Sequence, residues 1–415
     1  MSTFEEAVKP AFELKKVGET LRAEPFGGHP TQSTTCFAVN NDGTILALGA
    51  SKLTTVNILY VRGKLQTEAE GIFSFTETEH LVDSKRPDTR TYISDEYVRS
   101  IAFHPWFTTV LATGGGTDER GGTVKLWHMS PEVLPPHTVR THASETINVE
   151  SRINSVAFHP TEMLLATGSS DNTTRVWSFN NIYKLTCKAR LNHGIGINHV
   201  VNVVAFHPDK EQILLASGCN GPNTSRLWKL NPKNFVDTPP FKVLDNEDPI
   251  RTLAFHPSEK LLATGDAGNN LKLWGFNDYD SISCVNTLQG HTSSVVSVAF
   301  HPTGDFLATG SWDRSAKVWS YSSEGRDVKL VATIAYNTNV NSVAFYPVQK
   351  GRVPILAIGR TGGLFETYEL TRPPPGGSSG GTRRRTPRRH RRRTQTRTRR
   401  RSRKQQQRSR RRHRR

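Results

Sequence analysis

Val295-Val296-Ser297-Val298-Ala299-Phe300, then Phe306-Leu307-Ala308-Thr309-Gly310, then Ala316-Lys317-Val318-Trp319, is the stretch that decides the fold. In its first segment β-branched residues dominate, and Val296, Val298 and Phe300 alternate with smaller neighbours, as in a strand buried on one or both faces. Pro302-Thr303-Gly304-Asp305 supplies turn chemistry before the second segment, and Ser311-Trp312-Asp313-Arg314-Ser315 before the third. A more polar run, Val328-Lys329-Leu330-Val331-Ala332-Thr333, reads as a fourth strand on an outer rim.

Working outward, the same phrase recurs: Ala-Phe-His-Pro, then Leu-Ala-Thr-Gly, then a strand ending in Trp. It is seen around Phe103 and Trp127, Phe158 and Trp177, Phe206 and Trp228, Phe255 and Trp274, and Phe300 and Trp319. A sixth copy runs from Phe345-Tyr346-Pro347 through Leu356-Ala357-Ile358-Gly359 to Phe365 and Tyr368. A divergent copy precedes them all, from Cys36-Phe37-Ala38-Val39 through Leu46-Ala47-Leu48-Gly49 to Val56-Asn57-Ile58-Leu59. Successive phenylalanines lie 66, 55, 48, 49, 45 and 45 residues apart. A period near 45 is that of a four-stranded propeller blade, and the longer intervals predict inserted loops at residues 62–97 and 128–150. One such sheet cannot bury both its faces alone, whereas a closed ring covers them and leaves only short edges. The expected fold is all-β, a seven-bladed propeller over residues 11–370. Residues 1–10 are expected to be a flexible N-terminus. The last copy in the chain runs out after three strands, so an N-terminal segment, residues 12–18, is the candidate for the strand that closes it.

The 415 residues carry a formal net charge of +18, and that charge is unevenly spread. Residues 371–415 hold 20 Arg and one Lys and no acid; removing these 21 from 55 basic residues leaves 34 against 37 acidic ones in the rest. The body is thus about −3 and the tail about +21. Cys36, Cys187, Cys219 and Cys284 show neither disulfide-framework nor zinc-knuckle spacing, which predicts reduced thiols in a nuclear or cytoplasmic setting. No apolar run is long enough to span a bilayer, and the N-terminus lacks the basic and apolar regions of a signal peptide.

The repeats resemble those of WD40-repeat proteins over about residues 10–370. Leu288-Gln289-Gly290-His291 matches that family's Gly-His motif, and Trp127, Trp177, Trp228, Trp274 and Trp319 occupy its Trp position, although no aspartate follows them. The resemblance implies a buried tetrad of His291, Thr309, Asp313 and Trp319. In the copy around Trp177 only Thr167, Asp171 and Trp177 fit, because Val149 stands at the His position. The other copies keep less of it, so they are expected to rely on apolar packing. The resemblance also implies a platform that binds a protein or peptide on its loop-lined face and central mouth.

Other chemistry is thin. His104, His159, His207, His256 and His301 stand at one place in successive units, so a ring would hold them apart; a strand-end or turn role is expected rather than a metal site. The stretch from Gly114 to Gly122 lacks the Gly-Lys-Ser/Thr ending of a phosphate cradle and is expected to be an inter-strand loop. No nucleophile–base pair stands outside the repeat, so neither a catalytic residue nor a cofactor is expected. Within 62–97, Ile72, Phe73 and Phe75 suggest a rim strand and the remainder an exposed acidic insert.

Residues 371–382 are a Pro/Gly/Ser linker, followed by an arginine-rich tail, 383–415, with nothing apolar to fold around. Arg383, Arg384, Arg385, Arg388, Arg389, Arg391, Arg392, Arg393, Arg399, Arg400, Arg401, Arg410, Arg411 and Arg412 are the candidate polyanion-binding residues. Guanidinium forks match phosphate oxygens, and counterion release makes such binding to RNA or DNA sequence-independent and salt-dependent. The expected function is a non-enzymatic scaffold, monomeric within a larger assembly, that holds a partner on the propeller and nucleic acid on the tail. Two readings stay open beside it: an adaptor whose tail serves only nuclear or nucleolar localisation, and an enzyme with a pocket in the propeller. A cellular and a viral source suit the sequence equally.

Overall fold

The computed structural model describes residues 13–22, 34–43, 45–50, 56–62, 74–81, 98–117, 119–128, 143–180, 184–196, 199–209, 212–223, 225–232, 234–235, 239–276, 281–321, 327–347 and 353–371. The leading strand is β1 (Glu13–Arg22). Blade 1 is β2 (Thr34–Val39), β3 (Ile45–Ala50), β4 (Val56–Arg62) and β5 (Ser74–Leu81). Blade 2 is β6 (Val98–Phe103), β7 (Val110–Thr117), β8 (Gly121–His128) and β9 (Ala143–Val149). Blade 3 is β10 (Ile153–Phe158), β11 (Leu164–Ser169), β12 (Thr173–Phe179) and β13 (Leu185–Asn192). Blade 4 is β14 (Val201–Phe206), β15 (Ile213–Cys219), β16 (Arg226–Leu230) and β17 (Lys242–Val243). Blade 5 is β18 (Ile250–Phe255), β19 (Leu261–Asp266), β20 (Leu271–Phe276) and β21 (Ile282–Leu288). Blade 6 is β22 (Val295–Phe300), β23 (Phe306–Ser311), β24 (Ser315–Tyr321) and β25 (Val328–Ala335). Blade 7 holds β26 (Val340–Phe345), β27 (Ile355–Arg360) and β28 (Leu364–Thr371).

Each blade is an antiparallel sheet in chain order, except the seventh, whose order is β1-β28-β27-β26. The N-terminal strand therefore completes the last blade, pairing Leu14 with Leu370 and Lys16 with Tyr368. It covers more than the expected 12–18, and Phe12 lies outside the described residues. Each first strand packs against the first strand of the next blade, and β26 packs against β2, so seven blades close into a propeller. Equivalent atoms meet at successive junctions, so all first strands run in the same sense. The ends where they begin form one face, here the entry face, and the ends where they finish form the exit face.

Blade stacking explains the recurring Leu-Ala-Thr-Gly. Its glycine lies where the next blade's first strand crosses: a Cβ on Gly310 would sit 2.7 Å from Val340 Cγ1, and one on Gly114 2.5 Å from Ile153 Cγ2. Polar rivets join the same junctions. Val156 N donates to Ser100 Oγ (3.0 Å), Val204 N to Ser155 Oγ (3.1 Å), Val298 N to Thr252 Oγ1 (3.1 Å) and Val343 N to Ser297 Oγ (2.9 Å). Each contributes about 1 kcal/mol.

Two expectations need correction. The Gly114–Gly122 stretch is mostly strand, not loop: β7 and β8 pair out to Thr117 and Gly121. Glycine is needed there because Gly116 and Gly121 take φ of +115° and +82°, which side chains resist. Likewise 128–150 is not all insertion, because β9 supplies the rim of blade 2. In blade 1 the rim strand contains Phe75, while Ile72 and Phe73 lie outside the described residues.

The histidines at the strand ends bind turns. Nδ1 of His159 accepts the amides of Thr161 (3.2 Å) and Glu162 (2.9 Å), and Nδ1 of His256 those of Ser258 (3.1 Å) and Glu259 (2.7 Å). His104 does the same for Trp106 and Phe107, both at 3.1 Å. Each ring also meets the phenylalanine of the following blade edge-on: His104 on Phe158 at 5.0 Å, His159 on Phe206 at 4.9 Å, His207 on Phe255 at 4.8 Å, His256 on Phe300 at 5.1 Å and His301 on Phe345 at 5.0 Å. Burial pushes His104, His159 and His207 down to about 4.

Candidate protein-binding mouth

The entry face begins with the residues that hold its turns. In blade 6, Trp319 Nε1 donates to Thr309 Oγ1 (3.0 Å). Thr309 Oγ1 lies 2.7 Å from His291 Nε2, and His291 Nδ1 lies 2.7 Å from Asp313 Oδ2. With Trp319 donating to the hydroxyl, the consistent relay has Thr309 donating to Nε2 and Nδ1–H donating to Asp313. Asp313 also accepts the amides of Thr292 (3.0 Å) and Ser315 (2.8 Å), which ties the turn before the first strand to the turn before the third. Hydrogen bonds from Ser315, His291 and Thr292 outweigh burial and hold its carboxyl below the usual range.

The other blades keep more of this wiring than the sequence suggested. Trp127 donates to Thr113 (2.9 Å), Trp177 to Thr167 (3.0 Å), Trp228 to Ser217 (3.0 Å) and Trp274 to Thr264 (2.9 Å). In blade 3, with Val149 at the His position, Asp171 pairs with Arg175 at 2.6 Å instead. In blade 4 the imidazole comes from further back in the chain: buried His193 contacts Thr174 Oγ1 (3.0 Å), Cys219 Sγ (3.1 Å) and the Trp228 ring (5.3 Å). Fixed spacing misses it, because the turn between Asn192 and Val201 is longer. The five tryptophans thus sit one per blade and do not converge. Thr309→Val is expected to cost about twice as much as Thr264→Val, on the order of 3 versus 1.5 kcal/mol. The first strands both Trp319 and His291, the second only Trp274, and urea unfolding of the two variants compares them.

Around the axis, the second residue of the first strand is polar in blades 2, 3, 4, 5 and 7, where burial would favour an apolar one: Arg99, Asn154, Asn202, Arg251 and Asn341. Asn154 Nδ2 reaches Val201 O of the next blade (2.9 Å) and Asn202 Nδ2 reaches Ile250 O (2.9 Å). Arg152 Nε donates to Ser170 Oγ (2.8 Å), and Asn341 Nδ2 to Thr361 Oγ1 (3.1 Å). Arg251 Nη1 donates to Asn220 Oδ1 (3.2 Å), and no carboxylate pairs with it among the described residues. Burial lowers its pKa, so this half-buried cation stands in the mouth without a counterion. Aligning the copies at that one position would have revealed the arginines. At the periphery of this face, Trp312 is 45% exposed and Ile195 98%.

Among the described residues no group of His, Cys, Asp and Glu could hold a metal ion, and no helix is long and apolar enough to cross a membrane. None of the four cysteines forms a disulfide. The candidate polyanion-binding arginines, Arg383 to Arg412, lie outside the described residues.

Residues 135–178, 239–275 and 282–320 match the family model described as WD domain, G-beta repeat. Among curated proteins, the chain is 32% identical over 156 residues to Nuclear distribution protein PAC1 of Arthroderma otae, covering 35% of this chain and 31% of that protein. It is 29% identical over 151 residues to Nuclear distribution protein nudF of Aspergillus oryzae, covering 35% of this chain and 30% of that protein. It is 37% identical over 82 residues to Transducin beta-like protein 3 of Bos taurus, covering 20% and 9%. The match thus spans about a third or less of the length of these relatives.

Proposed function

This chain belongs to the WD40-repeat family, and from that premise we propose that it is a scaffold whose entry-face mouth takes an acidic segment of a partner protein. The observation that carries the reading is Arg251, a half-buried guanidinium facing only a neutral amide oxygen among the described residues. An incoming carboxylate would supply the missing charge in a place where water is partly excluded, which strengthens the pair. Exposed Trp312 and Ile195 add apolar area at the periphery of the same face.

Peptides of equal length and net charge −3, 0 and +3 test this by fluorescence anisotropy against the full chain and its Arg251→Gln variant. The acidic peptide is expected to lose about tenfold or more in affinity on substitution. The tail is common to both proteins, so the difference reads the mouth. Equal affinities would remove the mouth from the proposal.

The second element is the tail, proposed as an anchor on RNA, DNA or another polyanion. It rests on 20 arginines in residues 371–415 with no acid among them. A chain lacking residues 372–415 is expected to lose nucleic-acid binding at 50 mM salt, while the intact chain should weaken by about a thousandfold or more between 50 and 200 mM. If the shortened chain binds as tightly as the intact one, the anchor is wrong and the tail serves localisation. Held together, the two sites would raise the local concentration of the partner on the polyanion.

A further inference from the structure

We propose that the exit face is a second docking surface, distinct from the mouth, that takes an arginine-bearing segment of another protein between Trp106 and the carboxylates of the neighbouring turns. The argument starts from the repeat. In two blades the turn after the first strand caps the histidine with a pair of backbone amides from polar residues: blade 3 with Thr161 and Glu162, blade 5 with Ser258 and Glu259. Blade 2 builds the same turn, with the same Nδ1 acceptor, from Trp106 and Phe107. The polar turns of blades 3 and 5 show that the cap does not require aromatic side chains; in blade 2 both rings rest on the His104 ring, at 5.6 and 4.7 Å, and still stand 50% and 42% exposed. An adjacent pair of exposed large apolar residues on a surface turn is costly unless something covers it.

The surroundings say what would cover it. In blade 1, Asn41 donates its side-chain amide to Pro105 O, the residue before Trp106. Exposed Asp42 follows Asn41 directly, so the turn that touches Pro105 carries a carboxylate. On the other side, the His104 ring packs on Phe158 and Phe179 of blade 3, whose turn carries exposed Glu162. Asp209, Glu259 and Asp305 occupy the corresponding turns of blades 4, 5 and 6, and Lys260 is the one basic residue among the described residues of these turns. An indole with carboxylates on the turns of the two neighbouring blades matches a guanidinium in both of its bonding modes: its flat face stacks on the ring while its N–H fork meets the acids. An ammonium offers only the charge. The electrostatic sense is opposite to that of the entry mouth with its arginines, so the two faces would choose different partners.

A fluorescent peptide, Gly-Arg-Gly-Arg-Gly-Arg-Gly, its lysine counterpart and its glutamate counterpart are the probes, titrated against the full chain at 150 mM salt. The arginine peptide is expected to bind about tenfold more tightly than the lysine peptide, and the glutamate peptide is expected to be insensitive to exit-face substitutions. The double substitution Trp106→Thr with Phe107→Gln, which borrows the polar turn chemistry of blade 3, should lower arginine-peptide affinity about tenfold with the melting temperature within a few degrees. Glu162→Gln, at an exposed position outside the aromatic pair, should lower it severalfold on its own. Arginine and lysine peptides binding alike would overturn the proposal, because charge alone would then account for binding. Unchanged affinity in both variants would overturn it as well, and Arg251→Gln should leave this binding as it was.

Discussion

Lowering the pH from 6.5 to 4 is expected to remove on the order of 10 kcal/mol of stability from the propeller, enough to unfold it at room temperature. The cause is the ring of strand-end histidines. His104, His159 and His207 are almost fully buried, and burial lowers each from 6.5 to about 4. Each Nδ1 already accepts a turn amide, so a second ring proton would point at an N–H. The folded pKa lies below the unfolded one. Their stabilisation is therefore complete above pH 6.5, and it is lost as the unfolded chain takes up protons that the folded chain refuses. Each imidazole accounts for about 3 kcal/mol, and the loss levels off below pH 4, where the folded form binds protons too. His256, His291 and His301 are shifted in the same direction and add to the effect, whereas Asp266, whose carboxyl is raised by burial, works against it. Urea midpoints at half-unit pH steps would measure the slope, expected near 4 kcal/mol per pH unit midway. His159→Asn, which keeps an acceptor for the turn but does not titrate, should reduce that slope by about a third. A flat profile from pH 6.5 to 4.5 would sink this account.

Replacing Glu366 by alanine is expected to destabilise the ring by about 3–5 kcal/mol, the usual cost of stranding a buried charge. Blade 7 has no tryptophan, and Tyr368 stands where the others carry it, pairing with Leu356 as Trp319 pairs with Leu307. In place of the tetrad, Glu366 holds Arg360 at 3.0 Å and Lys16 at 2.8 Å and accepts the Tyr368 hydroxyl at 2.9 Å. Tyr336 donates to Tyr368 (3.1 Å), and the Arg360 guanidinium lies 4.2 Å from the Tyr336 ring centre. Burial, with the neighbouring carboxylate, pushes the Tyr368 phenol up to about 12, so it remains a donor at every ordinary pH. Because Lys16 belongs to β1, the same carboxylate anchors the N-terminal strand. Glu366→Ala should therefore speed amide exchange in Glu13–Arg22 as well as lower the urea midpoint, while Glu366→Gln, which keeps an acceptor, should cost less. A loss under 1 kcal/mol would mean that the clasp rests on backbone pairing alone.

The ring, its blade count and its closing strand were legible because each is a matter of period and strand register. A phenylalanine every 45 to 66 residues, an alternating strand before it and a glycine after it recur wherever the chain must pack against a neighbour in the same way. The copies also disclosed the tetrad of blade 6, whose four members keep their spacing. What escaped was whatever broke register or changed residue type: His193 reaching blade 4 from a longer turn, Arg175 standing in for an imidazole beside Asp171, and the Tyr336–Tyr368–Glu366–Arg360 network of blade 7. The mouth arginine Arg251 was hidden differently, since a polar residue in an apolar strand looks like noise until Arg99, Asn154, Asn202 and Asn341 are seen at the same place around one axis.

By itself, the order of residues determined that this chain makes seven similar sheets and ends in a cationic tail, because hydrophobic periodicity and charge composition are local properties that need no partner. Only the tertiary structure decided which hydroxyl answers which indole and which carboxylate answers Arg360. It also decided that the arginines of the entry mouth and the aromatic turn of blade 2 look out from opposite faces. Those are relations between side chains far apart in sequence, set when burial removes water and each polar group must find its counterpart across a blade junction.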